Sequence, residues 1–228
     1  MKTTNESFKS GGHDVALEVF MPASSGRNPG VLILHGSFGL KPQYRADIVS
    51  FAEAFAMIGI AASIPHYLDS TEDGTTSGID IMKLIPEKRP SWRQACSDAL
   101  TLMANDARFD AKRLGILGFS LGGNLALSLA MAPPAGTNLK CIVDFFGPTQ
   151  LLENRWSKLP PVLIFHGTED DSVDLSASVH LVAQLEKAGK KKGQDYIFEK
   201  YKDEGHGFKD PKLTKSRVRT VEFITKTL

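Results

Sequence analysis

The chain is poor in cysteine and lacks any familiar metal-binding pattern. Only two cysteines occur in its 228 residues, which is too few for a disulfide framework. Cys96 lies in a helical pattern and Cys141 in a strand pattern, so we expect two free, buried thiols. No cysteine and histidine cluster has zinc spacing and no His-Glu-x-x-His motif occurs, so we expect no metal site.

Long apolar runs and an excess of one charge are also missing. No stretch approaches the roughly 20 apolar residues that span a bilayer, and residues 1–7 contain no apolar core of signal-peptide length. We therefore expect a soluble, cytoplasmic protein with no membrane partner. The formal net charge of +1 gives no reason to expect a nucleic-acid partner.

What the sequence does contain is a Gly-x-Ser-x-Gly motif between a strand pattern and a helix pattern. The motif occupies residues 118–122, with Ser120 at its centre. The five letters alone arise by chance in many chains, but the apolar run before them and the Ala- and Leu-rich pattern after them are what a nucleophile elbow requires. Such a turn lifts the serine hydroxyl above the sheet at a helix N-terminus. Ser120 is therefore the predicted nucleophile.

Short apolar strand patterns alternate with helical patterns along most of the chain. Strands are predicted at residues 31–34, 60–65, 114–117, 139–146, 162–165 and 195–201, after an N-terminal hairpin over residues 6–21. Helices are predicted directly after Ser120 and at residues 42–58, 91–105, 172–188 and 211–227. Residues 66–88 are predicted to form a long loop that acts as a lid or binding segment, with a short helix near residues 79–85 as an alternative.

This alternation predicts the fold class. It is typical of an α/β fold with a mainly parallel, doubly wound sheet of about 7–8 strands flanked by helices. The hairpin supplies an antiparallel edge. Because no linker or internal repeat divides the chain, we expect a single domain over residues 1–228.

A serine nucleophile needs a base, and among the six histidines His206 is the best candidate. It lies between two glycines in a loop, whereas His35 and His166 directly end buried strands, where histidines more often hold loops. Asp170 and Asp171 both follow a buried strand, and one of them could orient the imidazole while the other caps the next helix. The chain order serine, aspartate, histidine fits a fold with this elbow.

An attacked carbonyl becomes an oxyanion, which needs backbone N–H donors already in place. Leu121, directly after the nucleophile, is expected to supply one donor. Ser37, in the loop after the first central strand, is expected to supply the other, with Phe38 as an alternative.

Four segments resemble the dienelactone hydrolase family, and the resemblance covers nearly the whole chain from about residue 15 onward. The segments are residues 34–40, residues 118–123, the His166-Gly167-x-x-Asp170-x-x-Val173 spacing and residues 205–208. The resemblance implies an α/β-hydrolase fold. In the family's pattern the triad acid is the fifth residue of His-Gly-x-x-Asp, which selects Asp170 over Asp171.

Two residues depart from that family's pattern. The dienelactone enzymes have a cysteine nucleophile where Ser120 stands, and a glutamate in the first oxyanion loop where Gly36 stands. The two differences agree with each other. They imply a plain serine hydrolase. We expect it to cleave small carboxylic esters or lactones, to need no cofactor and to be a monomer or homodimer. An acyltransferase or thioesterase on the same triad, a small peptidase and a non-catalytic ligand-binding protein are the alternatives.

Aromatic residues near the ends of the strands are candidates for substrate contact, and packing is the equal alternative for each. These residues are Phe38, Tyr67, Phe119, Trp156 and Phe208. In the family, arginines grip a substrate carboxylate. Arg89, Arg93 and Lys209 are candidates for that contact, with a solvated surface charge as the alternative.

Overall fold

Eight strands form one mixed sheet at the centre of the protein. The computed structural model describes residues 1–71 and 78–228. The strands are β1 (Lys2–Ser10), β2 (His13–Met21), β3 (Asn28–Leu34), β4 (Ala61–Pro65), β5 (Phe109–Phe119), β6 (Leu139–Phe145), β7 (Val162–Gly167) and β8 (Tyr196–Tyr201). The α-helices of the described residues are α1 (Pro42–Met57), α2 (Gly78–Asn105), α3 (Leu121–Met131), α4 (Ser176–Lys187) and α5 (Lys212–Thr227).

The strands lie in the order β1-β2-β4-β3-β5-β6-β7-β8. Strand β2 is antiparallel to β1 and to β4, and all other neighbours are parallel. The predicted hairpin edge and mainly parallel sheet are therefore confirmed, although β1 begins at Lys2 rather than at residue 6. Gly11 and Gly12 turn the hairpin with φ angles of 57° and 90°, a region that glycine enters without steric cost.

The central strands are buried on both faces. In β3 the side chains of Val31, Leu32, Ile33 and Leu34 are all 0% exposed. Leu32 and Leu34 pack in the apolar cluster on one side of the sheet, and Val31 and Ile33 in the cluster on the other. This alternation is the two-residue period of a strand with helices on both of its faces.

The predicted loop over residues 66–88 is wrong for residues 78–88, which belong to α2, and the alternative of a helix near residues 79–85 is confirmed. A short 3-10 helix occupies Tyr67–Thr71, and residues 72–77 of the predicted segment lie outside the described residues. Pro86 favours a loop in the sequence because proline lacks the N–H that a helix interior uses, yet it lies inside α2 together with Pro90. Both prolines stand on the exposed side of α2. The helix continues past them because fully buried Ile81 and Trp92 hold its two halves against the core.

Helix α4 begins at Ser176, later than the predicted residue 172. The N–H groups of Ser172 and Val173 are bound by the carboxylate of Asp170 instead of entering a helix. Cys96 and Cys141 are free and buried, as predicted, and burial raises the pKa of both thiols. Across the described residues, no helix combines the length and apolar content that crossing a membrane requires.

Candidate active site

Ser120 stands between the end of β5 and the start of α3 in a strained backbone conformation. Its φ and ψ angles are 56° and −119°. Residues other than glycine rarely adopt this backbone conformation, which costs on the order of 1–3 kcal/mol. The N–H of Ser120 donates to the carbonyl of Phe145 on β6 at 2.9 Å. This bond fixes the turn to the neighbouring strand.

The two glycines of the motif are required by close backbone packing. A Cβ atom on Gly118 would lie 2.2 Å from the carbonyl oxygen of Gly122, and one on Gly122 would lie 2.2 Å from the carbonyl oxygen of Leu34. Atoms cannot approach so closely, so a side chain at either position would force the strand, the turn and the helix apart. This tight turn presents the Ser120 side chain at the carboxyl edge of the sheet.

A continuous hydrogen-bond chain joins Ser120, His206 and Asp170. The Nε2 atom of His206 lies 2.9 Å from Ser120 Oγ, and its Nδ1 atom lies 2.8 Å from Asp170 Oδ2. Asp170 follows β7 and His206 follows β8. Because parallel strands end at the same edge of the sheet, residues 36 to 86 positions apart meet there. The structure thus brings together the three residues that the sequence predicts as catalytic.

The surroundings of Asp170 keep its carboxylate ionised. Its side chain is 0% exposed, and its Oδ1 atom accepts hydrogen bonds from the N–H groups of Ser172 at 2.9 Å and Val173 at 2.8 Å. Burial by itself would raise the pKa of Asp170. Hydrogen bonds from His166, His206 and Val173 outweigh burial, so the pKa lies well below its usual range.

Asp171 lies in a different environment from Asp170. It is exposed, and its Oδ1 atom accepts a hydrogen bond from the Ser172 hydroxyl at 3.3 Å. The geometry therefore favours Asp170 as the partner of His206, in line with the sequence-based choice.

A second histidine, His166, lies beside Asp170 at the end of a buried strand, where the sequence favours a histidine that holds a loop. The Nε2 atom of His166 lies 2.8 Å from the carbonyl oxygen of Val173 and 3.4 Å from Asp170 Oδ2, and its Nδ1 atom lies 2.7 Å from Ser178 Oγ. Burial lowers the pKa of His166, but its bonds to Asp170 and Val173 outweigh burial and raise the pKa overall. His166 therefore braces the loop that carries Asp170.

The loop after β3 runs alongside the nucleophile. A Cβ atom on Gly36 would lie 3.4 Å from Ser120 Cβ, so Ser37 follows directly beside the reacting hydroxyl. Leu121 is the first residue of α3, and a helix offers its first N–H groups no internal acceptor. Ser37 and Leu121 therefore flank Ser120, as an oxyanion site requires.

Two cavities meet at Ser120 and His206. The smaller has a volume of about 120 Å³ and mostly aromatic and aliphatic walls, to which Phe38, Phe119 and Phe208 contribute. The larger has a volume of about 820 Å³ and is bordered by Phe38 as well. Three of the predicted contact residues therefore lie where a substrate could reach them.

Tyr67 and Trp156 are not among the described residues that line either cavity. The Tyr67 ring is 0% exposed and stacks on His35 with 4.2 Å between ring centroids, and its hydroxyl donates to the His35 carbonyl at 2.7 Å. Trp156 is 7% exposed and meets His180 edge to face. Both positions favour the packing alternative, in which Tyr67 holds the start of the loop after β3 through His35.

The three basic candidates differ in their positions. Arg93 donates to Ser128 and to backbone carbonyls on α3 and at its end. Arg89 borders the larger cavity and donates from Nε to Asn124 Oδ1 at 2.6 Å. Lys209 is exposed and is not among the described lining residues of either cavity.

Asp144 is a further buried acid that the sequence did not single out, because a single polar residue within an apolar strand pattern carries no motif. It is 0% exposed on β6, and its Oδ1 atom accepts the N–H of Gly147 at 3.1 Å. Oδ2 has no hydrogen-bond partner among the described residues. Burial raises the pKa of Asp144 to about 7.

The sheet order, its antiparallel edge and the flanking helices define an α/β-hydrolase fold. The chain belongs to the dienelactone hydrolase family, whose sequence profile matches residues 16–221.

Two named relatives and one solved structure resemble this chain, and each resemblance covers a different share of it. Hydrolase LUC6 of Fusarium sp is 28% identical over 68% of this chain, which spans only 35% of the length of that relative. The protein named probable 2-oxo-3-(5-oxofuran-2-ylidene)propanoate lactonase, of Bradyrhizobium sp, is 23% identical over 82% of this chain and 76% of its own length. A dienelactone hydrolase-like promiscuous phosphotriesterase from metagenomic libraries superposes with a TM-score of 0.81 at 19% identity, covering 99% of this chain and 98% of its own.

Proposed function

We propose that this chain is a serine hydrolase that cleaves small carboxylic esters or lactones through an acyl-enzyme. The observation that carries the proposal is the hydrogen-bond chain from Ser120 through His206 to Asp170, with both contacts at 2.8–2.9 Å. Family membership and the relatives named as a hydrolase and a lactonase support the same reaction class.

In the proposed first half-reaction, His206 Nε2 takes the proton of Ser120 as Oγ attacks the carbonyl carbon. The resulting oxyanion accepts hydrogen bonds from the N–H groups of Leu121 and Ser37. Each such donor typically contributes about 3 kcal/mol to lowering the barrier. His206 then gives its proton to the departing alkoxide. The acyl group remains bound to Ser120.

In the second half-reaction, His206 takes a proton from a water molecule that attacks the acyl-enzyme. Collapse of the second tetrahedral intermediate returns the proton to Ser120 and releases the acid. Asp170 holds the imidazole with Nδ1–H facing it and stabilises the imidazolium in both halves. Its lowered pKa suits this task because the carboxylate must stay charged next to a protonated histidine.

The proposal is tested with a fluorophosphonate probe, read by intact mass and peptide mapping. We expect one adduct per chain, on Ser120, together with turnover of 4-nitrophenyl acetate. Ser120→Ala should lose both adduct and turnover while keeping its circular dichroism spectrum and unfolding midpoint. Folded protein that gains no adduct, or an adduct that persists in Ser120→Ala, would refute Ser120 as the nucleophile.

A further inference from the structure

The smaller of the two cavities has rigid apolar walls. Phe51 and Phe145 are 0% and 1% exposed and pack edge to face with 5.6 Å between centroids. Ile48 on α1 and Leu213 on α5 contribute aliphatic wall, and the Phe146 ring is tilted against His206 with 4.5 Å between ring centroids. Because the buried rings contact one another, this part of the wall is closely packed.

The volume of this cavity limits what it can enclose. An apolar cavity of about 150 Å³ holds benzene, which has six heavy atoms. By proportion, the 120 Å³ of the smaller cavity enclose about five heavy atoms. Apart from His206, the only ionisable groups among its described lining residues are the Asp47 carboxylate and the Tyr44 phenol, so the cavity offers no cation to a charged carboxylate.

The larger cavity differs in size and chemistry. Its volume is about 820 Å³, and its walls include Arg89, Asp174 and His180 besides Ile85. The Asn124 side chain donates to the carbonyls of Pro148 and Gln150 at 2.7 and 2.8 Å, which holds the loop that closes one side. This space accepts a group several times bulkier, and its walls offer both donors and acceptors.

Both cavities open onto Ser120 and His206, so the two substituents of one ester enter different cavities. We infer that the substrates are esters or lactones whose acyl and alcohol portions differ in size. One side is an apolar group of no more than about five heavy atoms that lies among the phenylalanines, and the other is a larger group that can carry hydrogen-bonding substituents. This inference rests on the proposed function and specifies its substrate class.

Two series of esters test the inference. One series varies the acid from acetate to octanoate on a constant methyl ester, and the other varies the alcohol from methyl to octyl on a constant acetyl group, so that the constant group of each series is smaller than the limit. We expect kcat/KM in one series to fall by at least about tenfold per methylene once the enclosed group exceeds the limit. The other series should vary little. Equal dependence on length in both series would overturn the inference.

A matched pair of variants locates the limit. Ile48→Ala enlarges the smaller cavity and should move the cut-off to chains about two or three carbons longer, in line with the carbons removed. Ile85→Ala removes the same atoms from the wall of the larger cavity and should leave the cut-off in place. Leu213→Ala, on the rim of the smaller cavity, serves if Ile48→Ala is too unstable. A cut-off that moves with Ile85→Ala and not with the other two would contradict the assignment.

Failure of the inference and failure of the proposed function have different outcomes. If neither series is cleaved and the fluorophosphonate probe does not label Ser120, the hydrolase proposal itself fails. If Ser120 is labelled and esters of both series are cleaved with the same length dependence, only the size asymmetry fails.

Discussion

The two halves of the candidate site share tight backbone packing but differ in what is added to it. The half around Ser120 depends on backbone packing, since a Cβ atom on Gly122 would lie 2.2 Å from a neighbouring carbonyl oxygen. The half that carries Asp170 and His206 has such packing at Gly167, where a Cβ atom would lie 2.1 Å from the carbonyl oxygen of Glu204, and depends in addition on hydrogen bonds to the Asp170 carboxylate. A Cβ atom on Gly205, next to His206, would have its nearest neighbour 3.6 Å away.

The two halves should therefore respond differently to substitution. The serine half should fail sterically and independently of pH at Gly118 and Gly122, because their contacts involve uncharged backbone atoms. The acid–histidine half should fail electrostatically, because a fully buried carboxylate there depends on its donors. Three substitutions test this difference.

The largest effect on activity is expected in the acid–histidine half. Asp170→Asn should lower kcat by a factor on the order of 10⁴, because the amide no longer fixes the imidazole tautomer or stabilises the imidazolium. Asp171→Asn is the matched control, since Asp171 is exposed, and should change kcat by less than about threefold. Steady-state kinetics with 4-nitrophenyl acetate measures both. A large loss in Asp171→Asn alone would move the acid role to that residue.

The next largest effect is expected in the serine half. Gly122→Ala should destabilise the fold by about 3 kcal/mol, because the atoms it meets are backbone and cannot move aside singly. Gly205→Ala should cost less than about 0.5 kcal/mol, since ordinary contact distances surround it. Urea unfolding compares the two free energies of unfolding. Equal losses, or a loss in Gly122→Ala that varies with pH, would remove the distinction between the halves.

The smallest effect concerns Asp144, which touches both halves. Its Oδ1 atom would lie 2.2 Å from a Cβ on Gly123 at the start of α3, and its charge interacts with His166. Folding raises its pKa from 3.8 to about 7, so the folded protein holds the proton more tightly. The stability from this group is complete below its unfolded pKa and is lost as pH rises through its folded pKa.

Asp144→Asn should remove that pH dependence. Between about pH 5 and about pH 8 the unmodified protein should lose roughly 2–3 kcal/mol of unfolding free energy more than the variant does. Any cost of the unpaired amide is the same at both pH values and cancels in the comparison. Urea unfolding at the two pH values checks this, and parallel pH profiles would show that Asp144 does not titrate in this range.

Local patterns predicted most of the elements, because strands buried on both faces and helices with one apolar side leave different periods in the sequence. Helices α1 and α5 lie within one residue of their predicted bounds, whereas β5 begins five residues before the predicted residue 114. The loop prediction failed in residues 78–88, where Pro86 favoured a loop but burial of Ile81 and Trp92 holds a helix. Packing outweighed local propensity there, and no local pattern reports packing.

The amino-acid pattern was enough to predict the motif around Ser120, the α/β class and the three polar residues at the ends of strands, because these depend on spacing along the chain. How these residues meet depends on tertiary packing. The folded chain buries Asp170 and leaves Asp171 exposed, in line with the choice made from the family pattern, places His166 and Asp144 beside the candidate triad, and holds Tyr67 in the core. It also divides the space above Ser120 into two unequal cavities. Such contacts join residues far apart in sequence, and their distances depend on how the whole sheet packs.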